Sequence, residues 1–86
     1  MYIHIGQDTV LTQESIIGIF DMDNATSSYI TREFLAKKEK QKRVTAVGSE
    51  LPRSFVVTSE KSGDAVYLSL LSAATLSKRA SGSGLE

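Results

Sequence analysis

Three strand patterns occupy the first 21 residues, and they oblige the chain to fold around a β-sheet. Tyr2-Ile3-His4-Ile5 alternates, with Ile3 and Ile5 on one side and Tyr2 and His4 on the other, as a half-buried strand does. The fold is therefore expected to begin with the first residues. Gly6-Gln7-Asp8-Thr9 is turn chemistry, because glycine tolerates positive φ and aspartate bonds its own downstream backbone. Val10-Leu11-Thr12 reads as a short return strand. Ser15-Ile16-Ile17-Gly18-Ile19-Phe20-Asp21 is apolar nearly throughout, which suits a strand buried on both faces. Gly18 would weaken such a strand, so a bulge or a close neighbour is expected there.

The rest of the chain alternates between helix and strand. Asp23-Asn24-Ala25-Thr26-Ser27-Ser28 is a polar stop that supplies N-cap candidates. A helix is expected from Tyr29, with Ile30 and Phe34 at i, i+4 and Leu35 beside them as its apolar stripe. The stretch Lys37 to Arg43 continues this helix and then leaves it. Arg43 to Val47 reads as a strand ended by Gly48, and Pro52 closes the following loop because it cannot donate to a ladder. Arg53 to Ser59 and Ala65 to Leu70 read as an antiparallel hairpin turning at Glu60 to Asp64 around Gly63. Ser72 caps a short last helix to about Arg79, anchored by Leu71 and Leu76. The expected fold class is α+β: an antiparallel or mixed sheet of about five strands, one longer helix and one short C-terminal helix.

Length then bears on assembly. The Gly/Ser-rich end Ser81-Gly82-Ser83-Gly84-Leu85-Glu86 resembles a linker or tag remnant. Setting it aside leaves a single domain over residues 1–80, a size at which core burial is modest. The chain has no cysteine, which removes disulfides, zinc–thiolate sites and thiol catalysis together. Self-association remains as the way to bury more surface and to cover sheet edges, so a homo-oligomer is expected. No segment has the roughly 20 apolar residues of a membrane helix, and no leader-like segment precedes the first strand. A cytoplasmic setting is the natural expectation.

Few residues offer chemistry. His4 is the sole histidine and more simply fills a half-exposed strand position than a metal or general-base role. Asp21-Met22-Asp23-Asn24 begins like a calcium loop, but Thr26 and Arg32 stand where that loop needs glycine and glutamate. Helix-start capping accounts for the acids better. A catalytic serine would lack a base other than His4, and neither a nucleophile elbow nor a phosphate loop occurs. No enzyme activity, cofactor, metal or small-molecule substrate is therefore expected.

Charge is the informative signal. The formal net charge is +0, yet residues 1–31 hold Glu14, Asp8, Asp21 and Asp23 and no Lys or Arg. Arg32, Lys37, Lys38, Lys40, Lys42 and Arg43 then crowd into residues 32–43 against Glu33 and Glu39 alone. One reading is phosphate contact by Lys37, Lys38, Lys40, Lys42 and Arg43, with Arg53 and Lys78-Arg79 joining if the fold brings them near. Another is a solvated helix end whose cations favour the negative dipole terminus. A third fits one subunit's basic end to the next subunit's acidic region.

Several stretches together give a family likeness. Tyr2-Ile3-His4-Ile5-Gly6, the strand from Ile16 to Asp21, Glu33-Phe34-Leu35 and Ser54-Phe55-Val56-Val57-Thr58 carry it, as do Leu70-Leu71-Ser72 and Thr75 to Ala80. In this order the chain resembles the RemA/RemB extracellular-matrix regulatory proteins of Gram-positive bacteria, the RemB branch above all, over residues 1–80. The resemblance implies a cytoplasmic regulator of matrix (biofilm) genes that binds double-stranded DNA, and assembly into a ring-like homo-oligomer. RemA-type members carry Gly-Arg-Arg-x-Arg before the long strand; here Gly48-Ser49-Glu50-Leu51-Pro52-Arg53 keeps the glycine and the last arginine. Members also carry an arginine ahead of the Ile-rich strand, where Glu14 and Ser15 stand here. Phosphate contacts are then expected at Lys37, Lys38, Lys40, Lys42, Arg43 and Arg53, with avidity in a ring strengthening weak single contacts. The alternative is an oligomeric structural or protein-interaction module with weak or no DNA binding.

Overall fold

Apolar residues on both sides of one central hairpin organise the whole structure. The computed structural model describes residues 2–6, 9–48 and 50–80. Among them lie six strands: β1 (Tyr2–Gly6), β2 (Thr9–Thr12), β3 (Ile16–Asp21), β4 (Val44–Ala46), β5 (Ser54–Glu60) and β6 (Gly63–Ser69). The helices are α1 (Met22–Ala25), α2 (Tyr29–Lys40) and α3 (Ala73–Ala80), with a 3-10 turn over Gln13–Ser15. The fold class is α+β, as expected, but the strands form two sheets rather than one. β1 and β2 pair antiparallel by themselves, and the other four make a mixed sheet in the order β3-β5-β6-β4.

The separation follows from where the apolar faces point. Ile3, Ile5 and Leu11 of the small hairpin lie buried against Val56 and Leu76, so β1–β2 stacks on the larger sheet instead of extending its edge. The alternation read in β1 is thus realised, with Ile3 and Ile5 inside and Tyr2 and His4 outside. On the opposite face Phe55, Val57 and Val66 meet Met22, Phe34 and Leu35 of α1 and α2. Successive residues of β5 therefore feed opposite layers, which is why its first five residues are all buried. Each fully buried large aliphatic, such as Ile5 or Leu76, contributes about 1.5–3 kcal/mol.

Buried polar groups tie the layers together. The Ser69 hydroxyl donates to the Ile5 carbonyl at 2.6 Å and accepts from Leu71 N–H at 3.1 Å. The Ser54 hydroxyl donates to the Leu71 carbonyl at 2.7 Å. The Gln13 side-chain amide donates to the Ala80 carbonyl, joining the 3-10 turn to the end of α3. Ser72 caps α3 as expected, its Oγ accepting from Thr75 N–H at 3.2 Å. Asp21 caps α1 in the same way through Asn24 N–H at 2.9 Å, so helix capping does explain that acid.

Two expectations about apolar segments are corrected. β3 is not buried on both faces: it is an end strand of the sheet, and Ile17 and Phe20 are 58% and 41% exposed. Ile30 does not anchor α2 either; it is 76% exposed, and Phe34 and Leu35 make the helix's core contacts. The common reason is width. A helix about 10 Å across spans about two strands spaced 4.8 Å apart, and α2 lies over β4 and β6. The β3 side of that face stays open.

Gly18 bears out its reading. β3 bulges between Ile16 and Gly18, where two residues of β3 oppose one step of β5. The extra residue resets the alternation, so Ile16 and Ile19 share the layer with β1 while Ile17 and Phe20 share the other. A Cβ on Gly18 would lie 2.7 Å from the Phe20 ring, which stacks on Phe55 with centroids 5.1 Å apart. The turn expected at residues 6–9 lies partly outside the described residues, as do residue 49 and the 81–86 tail.

Candidate nucleic-acid interface

The lysines owe their arrangement to the way α2 ends. Its C-cap is Gln41; Lys42 N–H then donates to the Glu39 carbonyl at 3.0 Å and Arg43 N–H to the Lys38 carbonyl at 2.9 Å. This is a Schellman closure, in which the residue after the cap turns left-handed. Glycine usually fills that position, but here Lys42 does, at φ 59°. Lys37, Lys40 and Lys42 are exposed, and Lys38 lies half-buried with its ammonium 5.7 Å from the Phe34 ring centroid. Positive charge is favourable here because the aligned peptide dipoles leave the C-terminal end of the helix partly negative.

Arg43 has a different place from its lysine neighbours. Its Nε donates to the Asp64 carbonyl at 2.6 Å and its Nη2 to the Gly63 carbonyl at 2.8 Å. Nη1 donates to Ser62 Oγ at 3.1 Å, and Nη2 stands 3.6 Å from Glu60. The guanidinium thereby fastens the exit of α2 to the β5–β6 turn, where Gly63 adopts φ 123°, a conformation glycine alone takes without strain. Glu60 also accepts from Tyr67 Oη at 2.9 Å and Thr58 Oγ1 at 3.2 Å. Burial raises the Tyr67 phenol above its ordinary range; the bond to Glu60 and that carboxylate's charge push the same way, against a smaller opposing effect of Arg43.

The turn also brings in a cation that sequence reasoning left out. Lys61 sits exposed at the β5–β6 tip, at the sheet end where Arg43 is bound. Only the strand pairing shows this, since nothing local links Lys61 to Lys42. Arg53, by contrast, precedes β5 at the other end. Its N–H donates to the Ser69 carbonyl at 2.8 Å, and its carbonyl accepts from Met22 N–H at 3.0 Å. The seven residues of β5 put about 20 Å between the two ends. Arg53 is exposed and neighbours the α1 acids Asp21 and Asp23 rather than the lysines.

The C-terminal cations are not brought in. Arg79 Nη1 donates to the His4 carbonyl at 2.7 Å, and α3 packs on β1 and β3, across the sheet from α2. Among the described residues no group of three acids or histidines is placed to hold a metal ion, and no helix is long and apolar enough to cross a membrane. What the fold places at one end of the sheet is a set of ammonium groups, Lys37, Lys38, Lys40, Lys42 and Lys61. Such groups suit phosphate oxygens.

Comparison with known proteins agrees with the likeness drawn from the sequence. The family described as RemA-like, extracellular matrix regulatory protein A-like, matches residues 2–80. Extracellular matrix regulatory protein B of Bacillus subtilis (strain 168) is 48% identical over 80 residues, covering 93% of this chain and 90% of that protein.

Proposed function

Because the chain belongs to the RemA-like family of extracellular matrix regulatory proteins, we propose that it regulates bacterial matrix (biofilm) genes by binding double-stranded DNA as a ring-like homo-oligomer. The observation that carries this reading is the 48% identity, across nearly the whole chain, to a protein named for matrix regulation. The lysine set supplies the means. Lys37, Lys38, Lys40 and Lys42 contact phosphates, with Lys61 beside them and Arg53 making a separate contact from the other end of the sheet. Arg43 contributes chiefly by holding the end of α2 against the hairpin. Each contact is weak and salt-sensitive, and several copies on one duplex raise the affinity by avidity. The activity needs no cofactor, and its site of action is the cytoplasm, where the DNA is.

Fluorescence anisotropy of a labelled duplex, titrated at several salt concentrations, tests the reading. Binding should fall steeply with salt, by about 0.9 in log K per log salt for each phosphate contact. Replacing Lys38, Lys40 and Lys42 together by glutamate should abolish it. Unchanged affinity of that variant at equal salt would sink the lysine assignment. No binding at low salt by an intact oligomer would favour the interaction-module reading instead.

A further inference from the structure

The DNA-binding reading makes no use of the trough that α2 leaves open over β3 and β5. It encloses about 370 Å³, within the usual size of a small-molecule site. Phe55 and Val57 of β5 form its floor, Ile17 and Phe20 of β3 one wall, and Ile30 and Phe34 of α2 the other. The bulge at Gly18 creates the β3 wall, since regular alternation would put Ile17 and Phe20 on opposite faces. Phe20 stacks on the buried Phe55 ring, so this wall and the floor brace each other.

One charged residue, Asp64, lines this apolar trough. It pairs with Ser59 across the β5–β6 hairpin. Alternation along β6 puts its side chain on the face of Val66 and Leu68, which is the face that packs on α2. The residue is half-buried. Its carbonyl accepts from Arg43 Nε, whereas its carboxylate has no hydrogen bond or ion pair among the described residues. Arg43 sets its charge against Glu60 and the turn carbonyls instead. The lysine set shares this end of the sheet, but none of its members lines the trough. A carboxylate beside apolar walls is partly desolvated, so a cation brought to it gains more than in open water.

We propose that the trough binds an organic cation, a protonated amine carried on an apolar body, with the amine on Asp64 and the body between α2 and β3. The three phenylalanine rings suit an aromatic body, which gains from offset or edge-to-face contact as well as from burial. Charge sets the ligand class. A neutral apolar molecule would cover the carboxylate without giving it a partner, and an anion would be repelled by it. The molecule is held as a ligand and not as a substrate. This site goes beyond the proposed function and does not depend on DNA binding.

Methyl NMR on the full chain tests the proposal, because Ile17, Ile30 and Val57 bring methyl groups to the trough. The probes are phenylbutylamine, phenylbutanol and phenylbutyrate, which share one apolar body and differ in charge. Phenylbutylamine should shift these methyl signals saturably and leave Ile3 and Ile5, in the opposite layer, unmoved. Phenylbutanol should bind about five- to tenfold more weakly, the difference between a charge-assisted and a neutral contact. Phenylbutyrate should bind more weakly still. Asp64→Asn should bring the amine down to the affinity of the alcohol, with the carbonyl bond to Arg43 retained. Equal affinity of amine and alcohol for the wild type would overturn the assignment, as would tighter binding of phenylbutyrate or an unchanged amine affinity in folded Asp64→Asn. Silence of the three methyls at millimolar amine would overturn the site itself, the trough then being closed or filled by another chain. The wild-type comparisons stand even where Asp64→Asn fails to fold, and the anisotropy titration decides DNA binding separately.

Discussion

Lys42 sits at a position where a side chain costs stability, and replacing it separates its backbone role from its charge. An L-residue in the left-handed region loses about 1–2 kcal/mol relative to right-handed conformations, and Lys42 adopts φ 59° at the end of α2. Glycine removes that strain but adds about 0.5–1 kcal/mol of unfolded-state entropy. Losing a cation at the helix C-terminus costs about 0.3 kcal/mol more. Lys42→Gly should therefore stabilise the fold by roughly 0.5 kcal/mol, whereas Lys42→Ala keeps the strain and loses the charge. The difference between the two variants, about 0.8 kcal/mol, is free of the charge effect and corresponds to about 3–6 °C in Tm for a domain of this size. Thermal unfolding by circular dichroism, at one fixed protein concentration because assembly shifts apparent stability, reads it directly. Both variants should lose the same increment, about 0.9, from the salt slope of DNA binding. Equal Tm values would refute the strain argument. Unequal salt slopes would refute the view that the side chain acts on DNA by charge alone.

Three other outcomes follow from the hydrogen-bond network. Arg43→Ala should destabilise by about 1–3 kcal/mol, because the carbonyls of Gly63 and Asp64 lose charge-assisted partners; amide exchange around residues 61–64 should accelerate first. Ser69→Ala should cost a similar amount, about 1–3 kcal/mol, since the Ile5 carbonyl and Leu71 N–H lose a fully buried partner; urea unfolding measures it. Tyr67 keeps its proton longer in the folded state than in the unfolded chain. Its contribution is thus complete below the unfolded value near 10.0 and declines as pH rises through the higher folded value. Ultraviolet titration should show a late phenolate step that Tyr67→Phe removes.

What the sequence made legible is what neighbouring residues decide. The alternation of Tyr2 to Ile5, the Asp21 and Ser72 caps and the turn at Gly63 depend on side chains a few positions apart, and each is found where it was read. The lysines were legible for the same reason, since one helix and its exit carry them. Strand order is not a local property. β3 pairs with β5, more than thirty residues away, and β4 lies at the far edge beyond β6. An apolar run such as Ile16 to Phe20 reads alike in a central strand and an end strand, because periodicity reports side-chain chemistry and not what lies alongside. The same non-local facts part Arg53 from the lysines, bring Lys61 to them and turn Arg43 toward the hairpin. Apolar residues that local pattern assigns to a core, and that topology leaves at an edge, still carry the free energy of burial as a drive to associate. Ile17, Phe20 and Ile30 are such residues, and their exposure beside β3 is the part of the fold that local pattern misreads.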